Sequence, residues 1–362
     1  MQDNRTLGAP LSQRSSLYTN GSIPRRSVLG GLGAAGMLFS MGGSGLLRAA
    51  NAAPATLIDV HRHITAPKLR TLMAAQGRTV PALDSDTAEI MLAEMDKVGI
   101  ARSMLTLVTP PAQLKSTREE WVAIARDANE TMARRVADHP GRFGFFAQLP
   151  MPYVDDTLAE IAYALDTLKA DGVQFSTSYG SYWMGDPEFA PIYAELDRRK
   201  TVVYTHPLEA ACCAANVADV PATTVEYGAD TARTVSRWLL SGSAARYQNI
   251  NPIFSHAGGL MLGMLERLAL LAAQSTYKDK LPQGLDHELR RCYYDTAQAW
   301  HPATLRGLRT VVPVSQILFG TDYPYRGAQE TWDGVRHGGV FSTTELRAIG
   351  SGNARRLLRM PA

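Results

Sequence analysis

Eight histidines are spread over the 362 residues, and four of them fall where a short β-rich run gives way to a longer amphipathic stretch: His61, His63, His206 and His256. Asp322 ends another such run. Neutral imidazole and carboxylate are suitable ligands for zinc, and also for manganese or iron. Residues i and i+2 of a strand point the same way, so His61 and His63 can grip one ion from one direction. A divalent ion held there could activate water or act as a Lewis acid on a substrate oxygen. The ligand set does not choose between these two jobs. Cys212, Cys213 and Cys292 form neither a CxxC pair nor a Cys/His spacing of the zinc-knuckle kind, and they read as core or loop thiols.

The elements that must bring these residues together are eight short runs: Leu57 to His63, Arg102 to Thr109, Phe143 to Leu149, Gly172 to Thr177, Thr201 to His206, Asn249 to His256, Cys292 to Ala297 and Gln316 to Asp322. They are near-continuously apolar, as expected for parallel strands buried on both faces. Helix signals lie between them. Asp186 is expected as the N-cap of a helix with Pro187 in its first turn and Phe189, Ile192, Tyr193 and Leu196 on one face. Met264, Leu265, Leu268 and Leu271 make a similar stripe after the sixth run, as do Trp121, Ile124 and Ala128 after the second. Strand then helix, eight times over, predicts an α/β fold of the (β/α)8 TIM-barrel type, whose active sites sit at the C-terminal ends of the strands. No Gly-rich dinucleotide turn supports a doubly wound sheet instead. Gly77 to Asp86 and Ala210 to Thr224 are candidate lids.

Taken in order, Asp59-Val-His61-Arg-His63, Tyr204-Thr-His206-Pro207, Phe254-Ser-His256-Ala-Gly-Gly, Gly320-Thr-Asp322-Tyr-Pro and Gly352-Asn353-Ala354 resemble the amidohydrolase superfamily. The likeness is to the branch that includes aminocarboxymuconate semialdehyde decarboxylase and the resorcylate, carboxyvanillate and methylsalicylate decarboxylases, and it runs through nearly the whole chain after the first 52 residues. It implies a metal-dependent hydrolase fold with His61, His63, His206 and Asp322 as metal ligands and His256 as an unligated catalytic histidine. Binuclear members of the superfamily carry a carbamylated lysine at the end of the fourth strand. Here Gly172-Val-Gln-Phe-Ser-Thr-Ser has none, which implies one divalent ion, zinc first and manganese second. The implied activity is decarboxylation of a small aromatic or muconate-like carboxylic acid such as a hydroxybenzoate, with Asp322 or His256 as the acid. The alternative is a hydrolase, a lactonase or amidohydrolase, using the same residues. For the substrate anion two arginines compete. Arg267 stands where the branch's decarboxylases reach across a homodimer into the neighbouring site, and Arg326 lies on the eighth loop of the same chain.

Other polar residues are read more plainly. If the first strand is regular, Arg62 points away from its two neighbours and is structural; Tyr204, Tyr293 and Tyr294 pack the barrel. Asp295 is either an acceptor behind a metal-bound histidine or a solvent-facing loop residue. His139, His287, His301 and His337 are surface residues.

The formal net charge of +3 comes from the N-terminus, where Arg5, Arg14, Arg25, Arg26 and Arg48 face the single acid Asp3. Without them 32 bases meet 33 acids, so no basic face and no nucleic-acid partner is implied. Residues 1–52 read as a twin-arginine signal peptide: Arg25-Arg26, a weakly apolar run with seven glycines between Gly30 and Gly45, then small residues suited to cleavage before Ala53. The expected mature protein is the barrel of residues 53–362, periodic in strand and helix, periplasmic or secreted, with no stable membrane span after cleavage.

Overall fold

The computed structural model describes residues 56–360 except 80, 85, 109–113, 211 and 214–219. The first 55 residues, which hold the expected twin-arginine signal, and residues 211 and 214–219 of the second candidate lid therefore lie outside the described residues. The eight runs form one parallel sheet: β1 Leu57–Ile64, β2 Ile100–Leu107, β3 Phe143–Gln148, β4 Gly172–Ser176, β5 Val202–His206, β6 Asn251–Phe254, β7 Tyr293–Asp295 and β8 Ile317–Leu318, in that order. Backbone bonds from Val60 N to Phe319 O, Asp322 N to His61 O and His63 N to Tyr323 O bring the last strand back to the first and close the barrel.

Two apolar layers hold it. Ile58, Val60, Met104, Phe146, Tyr204, Ile253 and Leu318 fill the barrel, with Phe146 and Tyr204 stacked at 5.4 Å. A second, larger layer packs helices on the outside of the strands. The predicted faces are the buried ones: Phe189, Ile192, Tyr193 and Leu196 are at most 1% exposed, and Ile124 and Ala128 are buried beneath the helix Arg118–Asp138. The late Asn353 is buried too, and its amide donates to the carbonyls of Val314 and Ile317, tying the C-terminal helix to β8.

Three expectations need correction. Asp186 does stand at the N-cap with Pro187 next to it, but its side chain makes no capping bond; the carboxylate instead accepts from Trp183 N and from the guanidinium of Arg237, and the α-helix proper starts at Ala190 after a turn of 3-10 helix. The last three strands are shorter than read, because the chain leaves the ladder before His256 and Asp322 and turns them inward with positive φ angles of 55° and 64°. Third, β1 is not regular. A register shift between Asp59 and Arg62 marks a bulge, which changes the phase of the strand so that Val60 fills the barrel while His61 and His63 both face its mouth.

A candidate metal centre and its cavity

His61, His63, His206 and Asp322 each bring one donor atom to within 4.8 Å of the others, and all four residues are buried. The partners of the three imidazoles fix their tautomers. His61 Nδ1 meets Asp295 Oδ2 at 2.8 Å, His63 Nδ1 meets Thr106 Oγ1 at 3.1 Å, and His206 Nδ1 meets the Pro207 carbonyl at 2.8 Å. Thr106 spends its own hydrogen on the Arg62 carbonyl, so His63 must be the donor there. With every Nδ1 bonded outward, the three Nε2 atoms converge, and once they are deprotonated their lone pairs face one point. His61 Nε2 lies 3.1 Å from His63 Nε2, and the two lie 3.3 and 3.0 Å from Asp322 Oδ1. Acceptors brought this close in a dry pocket repel one another unless a cation sits among them. The donor set, three imidazoles and one carboxylate, thus fits a divalent metal ion.

Electrostatics point the same way. Burial holds His63 below its ordinary value and His206 well below it, keeping both neutral. Burial would also lower His61, but the carboxylates of Asp295 and Asp322 outweigh it and raise the group to about 10. Asp322, which burial alone would push up, is held well below the usual carboxylate range, chiefly by the charge on His61 and by its hydrogen bond with His256. The two carboxylates thus favour one positive charge in the cluster, which a proton on His61 supplies in the absence of a metal and which a divalent ion would replace.

Asp295 is the acceptor behind a ligand rather than a loop residue. It is fully buried; Oδ2 takes His61 Nδ1, while Oδ1 takes the backbone N–H of His256 and of Ala297. Its approach depends on Gly320, where an added Cβ would come within 3.0 Å of both Asp295 Cβ and His61 Cβ. Replacing Asp295 by asparagine should leave the fold intact yet weaken metal binding by about 10–100-fold, since an amide cannot accept from His61 and from both backbone donors equally well. A competitive chelator titration would read this, and an unchanged affinity would show that His61 needs no support.

His256 stands outside the ligand set. Its Nε2 lies 3.4 Å from Asp322 Oδ2, the oxygen turned away from the cluster, and its side chain is 11% exposed. Gln298 Nε2 donates to that same oxygen. Asp322, His256 and Gln298 all have left-handed backbones, a conformation that side chains other than Gly, Asn and Asp rarely adopt and that neighbours must enforce. At His256 the neighbour is the helix Ala222–Leu240: Gly259 lets it lie so close that a Cβ would overlap the Gly228 carbonyl oxygen.

A cavity of about 240 Å³ opens onto His206 and Asp322, walled by Tyr227, Gln298, Tyr325 and Arg326. Of the two arginines, the structure brings Arg326 to this cavity; Arg267 is exposed on the helix Leu265–Ala272. Arg62 does point away from the cluster, and Tyr294 is a packing residue whose hydroxyl donates to Leu289 O. His301 and His337 are exposed, while His139 and His287 are half-buried, and none of the four approaches the site. Gln298, Tyr227 and Tyr325 were not singled out from sequence. Only Tyr325 had a local signal, three residues after Asp322.

Comparison with known proteins agrees with this geometry. An amidohydrolase family model matches residues 58–360. The 6-methylsalicylic acid decarboxylase of Penicillium expansum is 31% identical over 275 residues, covering 74% of this chain and 84% of that protein. Among solved structures, an amidohydrolase II superposes with a TM-score of 0.78 at 26% identity, covering 84% of this chain and 100% of the other. A dihydroxybenzoic acid decarboxylase from Polaromonas sp. JS666, solved with manganese and the inhibitor 2-nitroresorcinol, has a TM-score of 0.71 at 23% identity over 84% of this chain and 97% of its own.

Proposed function

The chain belongs to the amidohydrolase family, and on that premise we propose that it is a metal-dependent carboxy-lyase that removes carbon dioxide from a small aromatic acid of the hydroxybenzoate kind. The observation that carries this reading is the division of labour on Asp322: one oxygen joins the imidazole cluster, and the other faces His256 beside a cavity of about 240 Å³, room for one small ring. The decarboxylases among its relatives support the choice of reaction. His61, His63, His206 and Asp322 would hold one divalent ion, zinc first and manganese second. When bound, that ion supplies a positive charge to hold the substrate's carboxylate and a neighbouring oxygen.

The protein's own groups do the rest. Tyr227 and Tyr325 flank the ring, and Arg326 offers the substrate anion a two-pronged partner at the cavity wall. The proton that must reach the ring carbon before the carbon–carbon bond breaks is carried between His256 Nε2 and Asp322 Oδ2. Carbon dioxide then leaves, and the electron pair of the broken bond restores the ring. Incubating the metal-loaded protein with a panel of hydroxybenzoates while measuring carbon dioxide, beside a panel of lactones, tests the reaction class. Lactone hydrolysis without carbon dioxide release would replace the lyase by a hydrolase at the same site.

The functional unit we propose is a homodimer. Arg267 sits between Leu260 and Leu270, which are 52% and 63% exposed, and a second copy covering that face would bring Arg267 to its partner's cavity. Arg267→Ala should then raise the Michaelis constant about tenfold or more. Mixing it with an inactive His256→Ala protein should restore activity, because the hybrid contains one site with both residues intact. A monomer in sedimentation, or no rescue while Arg326→Ala abolishes binding, would leave the anion to Arg326 alone. We further propose that residues 1–52 are a twin-arginine signal and that the barrel of residues 53–362 works in the periplasm or outside the cell. No helix among the described residues is long and apolar enough to cross a membrane.

A further inference from the structure

Arg62 lies between two metal-site histidines in sequence, faces away from the cluster, and is nonetheless completely buried. A guanidinium is costly to bury without partners, and its partners here lie on three different elements. Nε donates to Asp59 Oδ2 at 3.3 Å, a terminal nitrogen donates to Glu94 Oε2 at 2.7 Å, and the guanidinium carbon sits 4.3 Å from the centroid of the Tyr323 ring. Glu94, on the helix Ala88–Val98, uses its other oxygen to accept from Ala328 N at 3.1 Å. That is the first residue of the helix Ala328–His337, whose preceding Gly327 supplies no side-chain cap, so a carboxylate from a distant helix does the capping.

These contacts bracket one loop. Before Asp322, Thr321 bonds to Asp59 through both its N–H and its hydroxyl. After it, Tyr323 is stacked under Arg62 while its carbonyl accepts from His63 N. At the far end Ala328 is fixed by Glu94. Between these points lie Asp322, Tyr325 and Arg326, the loop's three contributions to the site. We infer that the buried Arg62 and the half-buried Glu94 form a clasp that sets the position of the loop Asp322–Gly327, and so act as positioning residues for the cavity wall rather than as ordinary structural charges. Asp322 is also held through Thr321 and β1, so loosening the clasp should release Tyr325 and Arg326 more than the metal ligand. The effect on binding should exceed the effect on chemistry.

The test compares the full-length, metal-loaded protein with Arg62→Lys, Glu94→Gln and Tyr323→Leu by amide hydrogen exchange and steady-state kinetics. Glu94→Gln keeps the side-chain volume and leaves Arg62 paired with Asp59, so it covers the case in which an Arg62 variant does not fold. Peptides spanning residues 321–328 should exchange about tenfold faster or more, while β1 and β5 keep their wild-type protection and metal content is unchanged. The Michaelis constant should rise about tenfold, with kcat within about threefold of wild type. Unchanged exchange in 321–328 in the folded variants, or a uniform rise across the barrel, would overturn the clasp. The kinetic half rests on the substrate cavity proposed above, whereas the exchange half does not. A wild-type protein that hydrolyses lactones instead of releasing carbon dioxide would therefore overturn the proposed reaction without touching this inference.

Discussion

Asparagine in place of Asp322 is expected to strip the protein of its ion and its turnover together. Among the four donors Asp322 is the only anion, and it is 2% exposed. The amide is nearly isosteric, but it lacks the charge that balances a divalent cation, and its NH2 must face either the imidazole cluster or the amide of Gln298. The three imidazoles that remain are neutral and offer no charge to offset a divalent ion, so the ion is held less tightly than with the carboxylate in place. Metal content should fall from about one ion per chain to near none, and turnover by about 10³-fold or more. The backbone gives no separate reason to unfold, because asparagine tolerates the left-handed conformation that position 322 requires. His206→Ala should act in the same direction but more weakly, since it removes a neutral ligand and leaves the carboxylate. Elemental analysis of the purified variants decides the matter. Full occupancy with Asp322→Asn, or two ions per wild-type chain, would refute the single four-ligand site.

Much of that site was legible in the sequence, for a physical reason. Parallel barrel strands are buried on both faces, so they stand out as apolar runs, and polar residues at their C-terminal ends are conspicuous because nothing about strand packing calls for them. His61, His63, His206, His256 and Asp322 were identified in this way, and the structure gathers all five. Asp295 could be seen as an acceptor candidate but not assigned, because burial at a strand end depends on what the facing strand leaves open. Gly320 leaves it open here.

What could not be read depends on contacts distant in sequence. Tyr227 lies within a long amphipathic helix, and nothing in its neighbourhood distinguishes a cavity wall from helix packing. Gln298 enters the site through a left-handed turn three residues past β7, and a regular strand or helix would have pointed it elsewhere. The bulge in β1 has no signature in Asp59-Val-His61-Arg-His63, yet it allows Val60 to pack inside while both histidines face the mouth. Arg62 faces away from the imidazole cluster. That it joins β1 to Glu94 and Tyr323 is visible only once the helix Ala88–Val98 is folded against the eighth loop.

Asparagine at position 256 should separate the two halves of the site that Asp322 joins. The substitution touches none of the four metal donors, and asparagine accepts the φ of 55° found there, so the backbone N–H can keep its bond to Asp295 Oδ1. Metal content should remain that of the wild type. Turnover should nevertheless fall about 10²–10⁴-fold, the usual cost of losing a positioned proton carrier. The proton route supplies a second readout. A proton delivered to the ring carbon in the forward direction must be removable by the same group in reverse, so the wild-type enzyme should exchange that ring hydrogen of the phenolic product with solvent deuterium. If His256 carries this proton, His256→Asn loses exchange and decarboxylation by the same factor. If it only shields Asp322 from water, exchange survives while decarboxylation falls. A metal-loaded variant with near wild-type values of both would leave Asp322 Oδ2, held by Gln298, as the sole proton carrier.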